Sequence, residues 1–525
     1  MKKVFYLLLF ALGLYSCESN PVLTIEGGQV QGVKADIKGV YVYRGIPYAA
    51  PPIKGLRWKA PQPVVPWKGV KIADKFGHPG YQAVHYPGGY TTEWGYGDES
   101  PYSEDCLYLN VWTKVPGKTD KKLPVALWIH GGGYREGWGS EPEFDAQEWA
   151  NKDVILVSIN YRLGVFGFLT YPELSQESPD HVSGNYGILD QIESLKWIKK
   201  NIAQFGGDPD NITIFGQSAG AGSVKTLCES PLAKDLFKKA IIMSGGGMST
   251  GRGGMPPMAG MPSARPANAP AASPNAAPAG RQGAPANRPG GPANRPGAPA
   301  GMPPAGMMAF GPMTLEQSEL QTKTVMDWAG LTSLEKIRAA STETVYTVGS
   351  LYTAVTGNRV RMAGGPIVDG YVSLMSFDSA AITNKLANVP YMIGFTLNDM
   401  GDMSQGIADF CLNREKAGSK AYAYQFARPL PTDGRENVLK GAFHSSDLWY
   451  VFKSLKHCWR PLTPGDWDLS EVMLTAWTNF AKYGDPNGKD GSKWTPYSKE
   501  NPKFMVFKLD AGDKENSGMG DPLKP

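Results

Sequence analysis

The stretch 212–222, ITIFGQSAGAG, constrains the fold of this chain more strongly than any other. Its first four residues are β-branched or aromatic and predict a short strand that runs directly into 216–220, GQSAG. This G-x-S-x-G pattern is typical of a sharp strand-to-helix turn that exposes one serine hydroxyl above a sheet. The glycines provide space, because a serine on a strained turn tolerates no bulky neighbours two residues before or after it. The pattern therefore predicts Ser218 as a nucleophile, with a plain glycine-rich turn as the alternative.

Apolar runs that alternate with helical patterns predict a large, mostly parallel central sheet flanked by helices, an α/β fold. Nearly continuous apolar runs indicate buried strands, at 123–130, 154–159, Lys239–Met243 and 389–394. An amphipathic helix is predicted after Asn185, and Thr314 with Gln317 is typical of a helix start with a capping box. Ala421–Phe426 is predicted as the last strand, 472–483 as the C-terminal helix, and the polar tail is expected to fray.

The first seventeen residues are predicted to be a signal peptide rather than part of the fold. Lys2 and Lys3 precede an apolar stretch, 4–14, that is too short to remain as a membrane-spanning helix. The sequence then reads Leu-Tyr-Ser-Cys and resembles the lipobox of bacterial lipoproteins, with Cys17 as the lipidated residue. An ordinary cleaved signal peptide is the alternative. We therefore expect an exported protein, anchored by lipid at Cys17 to the periplasmic face of a bacterial membrane or to the cell surface.

Residues 248–313 consist almost entirely of Pro, Ala, Gly and Met, a composition that cannot bury a core. They are predicted to be a disordered insertion within a single domain, 18–525, because the flanking halves need each other chemically. A solvated loop is favoured over a partner-binding or cell-wall-associating segment. Without the two signal lysines and the five arginines of this insertion, the net charge falls from +4 to −3, which argues against a nucleic-acid surface.

Cysteine and histidine usage predicts neither a metal site nor a cofactor. The four cysteines after the signal, Cys106, Cys228, Cys411 and Cys458, show no metal-ligand spacing, and the six histidines are scattered. Disulfides are permitted in an exported protein, but four cysteines allow three full pairings and the sequence does not choose among them.

Seven short motifs occur in the order of a known family. They are YRGIPYA (43–49), EDCLYLN (104–110), HGGGYREG (130–137), NYRLGVFGF (160–168), NYGILDQ (185–191), FGGDPDNITIFGQSAGA (205–221) and GAFHSSDLWYVF (441–452). Together they resemble the type-B carboxylesterase family of the α/β-hydrolase fold, which includes cholinesterases and p-nitrobenzyl esterases. The resemblance covers about 22–507 apart from the insertion. It implies a serine esterase that acts on a small-molecule carboxylic ester through an acyl-enzyme, without a cofactor.

The resemblance also assigns roles to individual residues. Ser218 is the nucleophile and His444 the general base, a role that suits histidine because it titrates near neutrality. The oxyanion of the reaction would be bound by three backbone amides, those of Gly132, Gly133 and Ala219. Two polar residues are expected beside the catalytic groups, Gln217 and Ser244. Structural ion pairs are implied as Arg44–Glu104 and Arg162–Asp208.

The triad acid is the point at which the sequence departs from the family, whose D-E-G turn here reads Asn-Asp-Met-Gly at 398–401. Counting from the preceding strand places Asp399 at the acid position. Matching the glycine instead places Met400 there and breaks the triad, and Asp402 is a further alternative. We favour Asp399, because a buried strand fixes register more firmly than a turn does. The order Ser, Asp, His is that of this fold.

Smaller departures qualify the expected function. Gln217 stands where relatives usually have glutamate, so a cationic substrate is less favoured, and Cys106 lacks its usual partner and is expected to be a free thiol. The segment between Asp399 and His444 is short, which predicts an open site. The aromatic loop 77–103 is read as a wall of the substrate gorge rather than a purely structural loop. Alternatives are a catalytically silent binding or adhesion module, and hydrolysis of an amide, thioester or lactone.

Overall fold

The computed structural model describes residues 20–83, 88–95, 101–249, 314–360, 362–489, 491 and 493–525. The predicted signal peptide, 1–17, with its lipidation site Cys17, lies outside the described residues. The same is true of the predicted insertion from residue 250 to residue 313. Among the described residues, no helix has the length and apolar character needed to cross a membrane.

A large sheet dominates the fold. The strands of the described residues are β1 Val22–Ile25, β2 Gly28–Gln31, β3 Val33–Lys34, β4 Tyr41–Pro47, β5 Val70–Ile72, β6 Tyr108–Thr113, β7 Leu123–Ile129, β8 Ile155–Ile159, β9 Gly207–Gln217, β10 Lys239–Met243, β11 Tyr391–Thr396, β12 Ala421–Phe426, β13 Phe504–Phe507 and β14 Gly518–Gly520. Eleven of them form one sheet in the order β14-β13-β12-β11-β10-β9-β7-β8-β6-β4-β3, and β1, β2 and β5 form a small second sheet. From β13 to β8 every neighbouring pair is parallel, while both edges are antiparallel. The predicted α/β fold is confirmed.

Helices cover the sheet. They are α1 Gly89–Trp94, α2 Gln147–Asn151, α3 Gly164–Phe168, α4 Pro172–Glu177, α5 Tyr186–Asn201, α6 Ala219–Glu229, α7 Leu315–Trp328, α8 Leu334–Ala339, α9 Thr342–Thr356, α10 Phe377–Ile382, α11 Ser404–Lys416, α12 Leu448–Val451 and α13 Pro464–Tyr483. Successive residues of β7 enter different cores: Leu127 and Ile129 pack in one hydrophobic cluster and Trp128 in the other. A strand buried on both faces in this way explains the continuous apolar runs of the sequence.

Helix boundaries follow the capping signals of the sequence. The predicted capping box is confirmed at the start of α7, where Thr314 and Gln317 satisfy each other's backbone amides. The C-terminal helix begins eight residues before the predicted start, at Pro464, behind a second capping box of Thr463 and Asp466. The prediction missed these first two turns because it relied on apolar spacing alone.

Two predictions for the C-terminal end were wrong. β12 is not the last strand, because the short apolar run Phe504–Phe507 adds β13 parallel to it, and β14 closes the edge. The tail is held rather than frayed: the Gln425 side chain accepts a hydrogen bond from Leu523 N at 2.7 Å and donates one to Leu523 O at 3.0 Å. The polar composition of the tail concealed pairing that depends on backbone groups.

The two ion pairs that the resemblance implied are formed with other partners. Glu104 pairs with Arg57, at 2.5 Å, rather than with Arg44, whose guanidinium donates to the Asp74 carbonyl. Arg162 pairs with Asp190 on α5, not with Asp208, and holds it through Nε at 2.8 Å and Nη2 at 2.7 Å. Motif positions give the charges, but which carboxylate each arginine meets depends on how the elements pack.

We predict that Arg162→Met lowers the free energy of unfolding by about 3–5 kcal/mol, because it leaves the Asp190 carboxylate buried without a cationic partner, with only the backbone N–H of residue 162 still donating to it. Lys200→Met is the matched control: it removes the exposed Lys200–Glu26 pair and should cost about 1 kcal/mol or less. Urea unfolding of both variants measures the difference. Equal losses in the two variants would contradict the prediction.

Candidate active site

Ser218 lies on a strained turn between β9 and α6. Its backbone has φ +56° and ψ −120°, a conformation that L-residues rarely adopt, and its N–H donates to the Met243 carbonyl at 2.9 Å. A Cβ on Gly220 would stand 2.0 Å from the Ile129 carbonyl oxygen, and one on Gly216 would stand 2.6 Å from the Gly220 backbone. The glycines of the pattern therefore leave room that the turn requires, as the sequence predicts.

His444 and Asp399 lie in hydrogen-bond contact. His444 Nδ1 is 2.6 Å from Asp399 Oδ1, and the Asp399 side chain is completely buried. Asp399 also accepts hydrogen bonds from the Ser244 hydroxyl at 2.7 Å, from the amide and hydroxyl of Thr396 at 3.1 Å each, and from Met400 N at 2.8 Å. Burial raises the pKa of Asp399, but the neighbouring His444 and these hydrogen bonds outweigh it and hold the pKa below the usual value. The carboxyl is therefore ionised at neutral pH.

A short backbone contact brings the acid and the histidine together. Asn398 N donates to the Ala442 carbonyl and Ala442 N donates to Asn398 Oδ1, both at 2.9 Å. The residues that follow, Asp399 on one loop and His444 on the other, are thereby held side by side. Asp402, the other acid considered, instead lies 2.6 Å from Lys524 Nζ. The structure thus places Asp399, and not Asp402, beside His444.

The Gln217 side chain contacts the second nitrogen of the His444 imidazole. Gln217 Nε2 lies 3.1 Å from His444 Nε2, and Gln217 is 3% exposed. Among the described residues, no hydrogen bond joins the Ser218 hydroxyl to His444. The two residues expected beside the catalytic groups are therefore in place, Ser244 against the acid and Gln217 against the histidine.

The triple-glycine loop passes beside the serine. A Cβ on Gly131 would stand 3.2 Å from Ser218 Cβ, so the loop leaves no space for a side chain there. Gly132 and Gly133 have positive φ angles of +88° and +62°, and the Gly132 carbonyl accepts from the amides of Arg135 and Glu136. Within the described part of the chain, no oxygen accepts a hydrogen bond from the N–H groups of Gly132, Gly133 or Ala219. These donors remain open to a ligand.

His130, at the start of this loop, has a structural environment. It is fully buried, stacks on Tyr161 with ring centroids 4.4 Å apart, and its Nδ1 lies 3.0 Å from the Gly131 carbonyl oxygen. Burial lowers the pKa of His130 to about 3, so the ring is neutral. It shapes the loop and carries no charge at neutral pH.

The aromatic loop contacts the histidine from outside. The Tyr90 hydroxyl donates to the His444 carbonyl at 3.0 Å, and its ring packs edge-on against Phe443. Tyr81 lies further away, against Phe166 and Tyr346. Residues 84–87 and 96–100 of this loop lie outside the described residues. At Tyr90, at least, the aromatic segment borders the candidate site.

Asp447 is a buried acid near the site that the sequence prediction missed. It lies three residues after His444 and is completely buried; the Tyr424 hydroxyl donates to its Oδ2 at 3.1 Å. Its other oxygen has no partner among the described residues. Burial raises the pKa of Asp447 to about 7; the hydrogen bond from Tyr424 opposes this shift, and the charge of Asp399 adds to it. A polar residue within a motif gives no sign of such burial, so only the packing reveals it.

The remaining predicted features concern cysteines and metals. Cys106, Cys228, Cys411 and Cys458 are all free thiols, which confirms the prediction for Cys106. Throughout the described ranges, no group of histidine, cysteine or acidic side chains could hold a metal ion.

Comparison with known proteins gives the family. The profile of the carboxylesterase family matches residues 19–253 and 402–519. The chain belongs to the carboxylesterase family. The matched residues leave out 254–401, which include Asp399.

Individual relatives agree with the family. The fumonisin B1 esterase of Sphingopyxis macrogoltabida is 43% identical over 222 residues, 42% of this chain and 39% of the relative. The para-nitrobenzyl esterase of Bacillus subtilis is 42% identical over 228 residues, 43% of this chain and 44% of the relative. The chain thus spans about two fifths of the length of these relatives. The solved carboxylesterase of Geobacillus stearothermophilus superposes with a TM-score of 0.67 at 26% identity, covering 95% of this chain and 97% of that one.

We predict that Asp447→Asn becomes more stable relative to the wild type as the pH rises. The raised folded-state pKa means that the wild type gains stability from the neutral acid below its ordinary pKa of 3.8 and loses it progressively up to about pH 7. The asparagine cannot ionise, so the difference between the two proteins should change by roughly 1 kcal/mol per pH unit in this window. Urea unfolding at several pH values measures it, and a difference independent of pH would contradict the prediction.

Proposed function

We propose that the protein is a serine esterase that hydrolyses a small carboxylic ester through an acyl-enzyme, with Ser218, His444 and Asp399 as its triad. The contact that carries the proposal is the 2.6 Å approach of Asp399 Oδ1 to His444 Nδ1. It fixes the proton on Nδ1 and leaves Nε2 as a base. His444 also contacts Gln217, the residue directly before the strained Ser218.

The chemistry follows from the positions of these groups. Ser218 Oγ attacks the ester carbonyl carbon while its proton passes to His444 Nε2. The carbonyl electron pair moves onto oxygen, and the open N–H groups of Gly132, Gly133 and Ala219 stabilise that charge, each by about 3–4 kcal/mol. His444 then returns the proton to the leaving alcohol. Water, activated by the same nitrogen, releases the acid from Ser218.

The relatives support an ester as the substrate. Two of the relatives are named as esterases, a fumonisin B1 esterase and a para-nitrobenzyl esterase. We infer a neutral or anionic ester for this chain, because Gln217 supplies an uncharged amide beside the serine and so gives no electrostatic preference for a cation.

The test is labelling of the protein with a fluorophosphonate, which reacts only with an activated serine. We expect the wild type to be labelled and Ser218→Ala not to be labelled. Asp399→Asn should slow labelling by about 10³-fold or more, because the imidazole loses the partner that fixes its tautomer. Hydrolysis of p-nitrophenyl esters should show the same order.

Asp402→Asn is the matched control, since it removes an aspartate three residues away that pairs with Lys524. It should label at the wild-type rate. Wild-type protein that is neither labelled nor active on aryl and alkyl esters would favour a silent binding module. A gain of labelling in Met400→Glu, with no loss in Asp399→Asn, would place the acid at position 400.

We further propose that Cys17 is lipidated and anchors the exported protein to a membrane. The support is the order of a basic start, an apolar stretch and the Leu-Tyr-Ser-Cys sequence. Cells that express the full chain should incorporate an alkyne-tagged fatty acid into the wild type and not into Cys17→Ser, and only the wild type should enter the detergent phase on Triton X-114 partitioning. Equal incorporation would contradict the anchor.

A further inference from the structure

Gln217 contacts the nitrogen of His444 that the proposed esterase function requires as a base, and any catalytic role of this contact rests on that function. Asp399 is ionised and can only accept, so the 2.6 Å contact requires the proton of the neutral imidazole to be on Nδ1. His444 Nε2 is then an acceptor with a single lone pair in the plane of the ring. At 3.1 Å from this nitrogen, the Gln217 amide must present an N–H to it.

Ser218 needs the same lone pair. Its hydroxyl proton can pass to His444 only after the hydroxyl donates a hydrogen bond to Nε2. One lone pair accepts one well-aligned hydrogen bond, so the Gln217 amide and the Ser218 hydroxyl compete for it. In the described structure Gln217 holds this position.

The Gln217 side chain has a firm support. Its backbone pairs with Met243 at the end of β9, and it is almost completely buried. A Cβ on Gly131 would stand 3.1 Å from Gln217 Oε1, so the triple-glycine loop leaves just enough room for the amide. The contact therefore belongs to the packed end of the sheet, beside the triple-glycine loop.

We propose that Gln217 is a positioning residue that withholds the general base from Ser218 in the resting enzyme and yields it when a substrate enters. In that change the hydrogen bond from the Gln217 N–H to His444 Nε2 breaks and one from the Ser218 O–H forms. The proton then moves from Oγ to Nε2 as Oγ bonds to the carbonyl carbon. Once the imidazole is protonated, Gln217 can accept from it through Oε1 after rotation of the amide.

The experiment measures second-order rate constants of fluorophosphonate labelling for the wild type, Gln217→Met and Gln217→Glu between about pH 5 and pH 8. The methionine side chain matches glutamine in length and has no N–H. We therefore expect labelling about fivefold faster than in the wild type, which corresponds to the free energy of one neutral hydrogen bond. Labelling at the wild-type rate or slower would overturn the proposal.

Gln217→Glu tests the same contact by charge. A carboxylate there favours the protonated imidazole, as Asp399 already does, whereas the nearby Asp447 is largely neutral below about pH 7. The acidic limb of the pH profile should therefore move up by about one pH unit. At the alkaline end, labelling should be faster than in the wild type, since no donor remains on residue 217. A limb that does not move would overturn the proposal, because a purely structural role for Gln217 predicts that result. This variant also carries the test if Gln217→Met does not fold.

Gln191→Met is the matched control, because Gln191 is a fully buried glutamine whose amide bonds Ser223 and contacts neither His444 nor Asp399. It should label at the wild-type rate, and an equal acceleration there would overturn the proposal. The failures of the two proposals are distinct. A wild type that is not labelled refutes the esterase, whereas a wild type labelled at Ser218 without faster variants refutes only the role of Gln217.

Discussion

The parallel register of β9, β10 and β11 is the constraint on which the site depends. Met243 at the end of β10 is level with Gln217 on one side and with Gly394 on the other. One residue further on, Ser218 N donates to the Met243 carbonyl and Ser244 N donates to the Gly394 carbonyl. Backbone hydrogen bonds thus fix Ser218 and Ser244, whose hydroxyl supports Asp399, at the carboxyl ends of these central strands. Side chains refine a geometry that the strands already impose.

Much of this arrangement could be predicted because it is local. The serine turn needs a strand, two small neighbours and a helix, and all of them lie within eleven residues of the sequence. The position of Asp399 followed from the register of the strand before it, and the structure brings that residue to His444. A buried strand places the residues that follow it, even where the turn itself departs from the family pattern.

The missed features depend on contacts between distant segments. The resemblance implied Asp208 as the partner of Arg162, and only the packing of α5 brings Asp190 to it instead. β13 is four residues long and follows a polar stretch, so its sequence shows no periodic pattern. It forms a strand because it pairs with β12. The burial of Asp447 arises in the same way, from neighbours such as Tyr424 that are remote in sequence. Local patterns predict what a segment prefers, while partners and burial belong to the whole fold.

The adjacency of β10 and β11 has a consequence for how the chain could change in evolution. These strands pair directly although the whole of 244–390 lies between them in sequence. Closing a connection of this length costs chain entropy. This cost grows only with the logarithm of the length, by about 0.6 kcal/mol for each doubling. Residues added between Ser249 and Thr314 therefore destabilise the pairing of β10 with β11 very little. This stretch of the gene is a place where new sequence can accumulate, and be tried for new uses, without loss of the hydrolase fold.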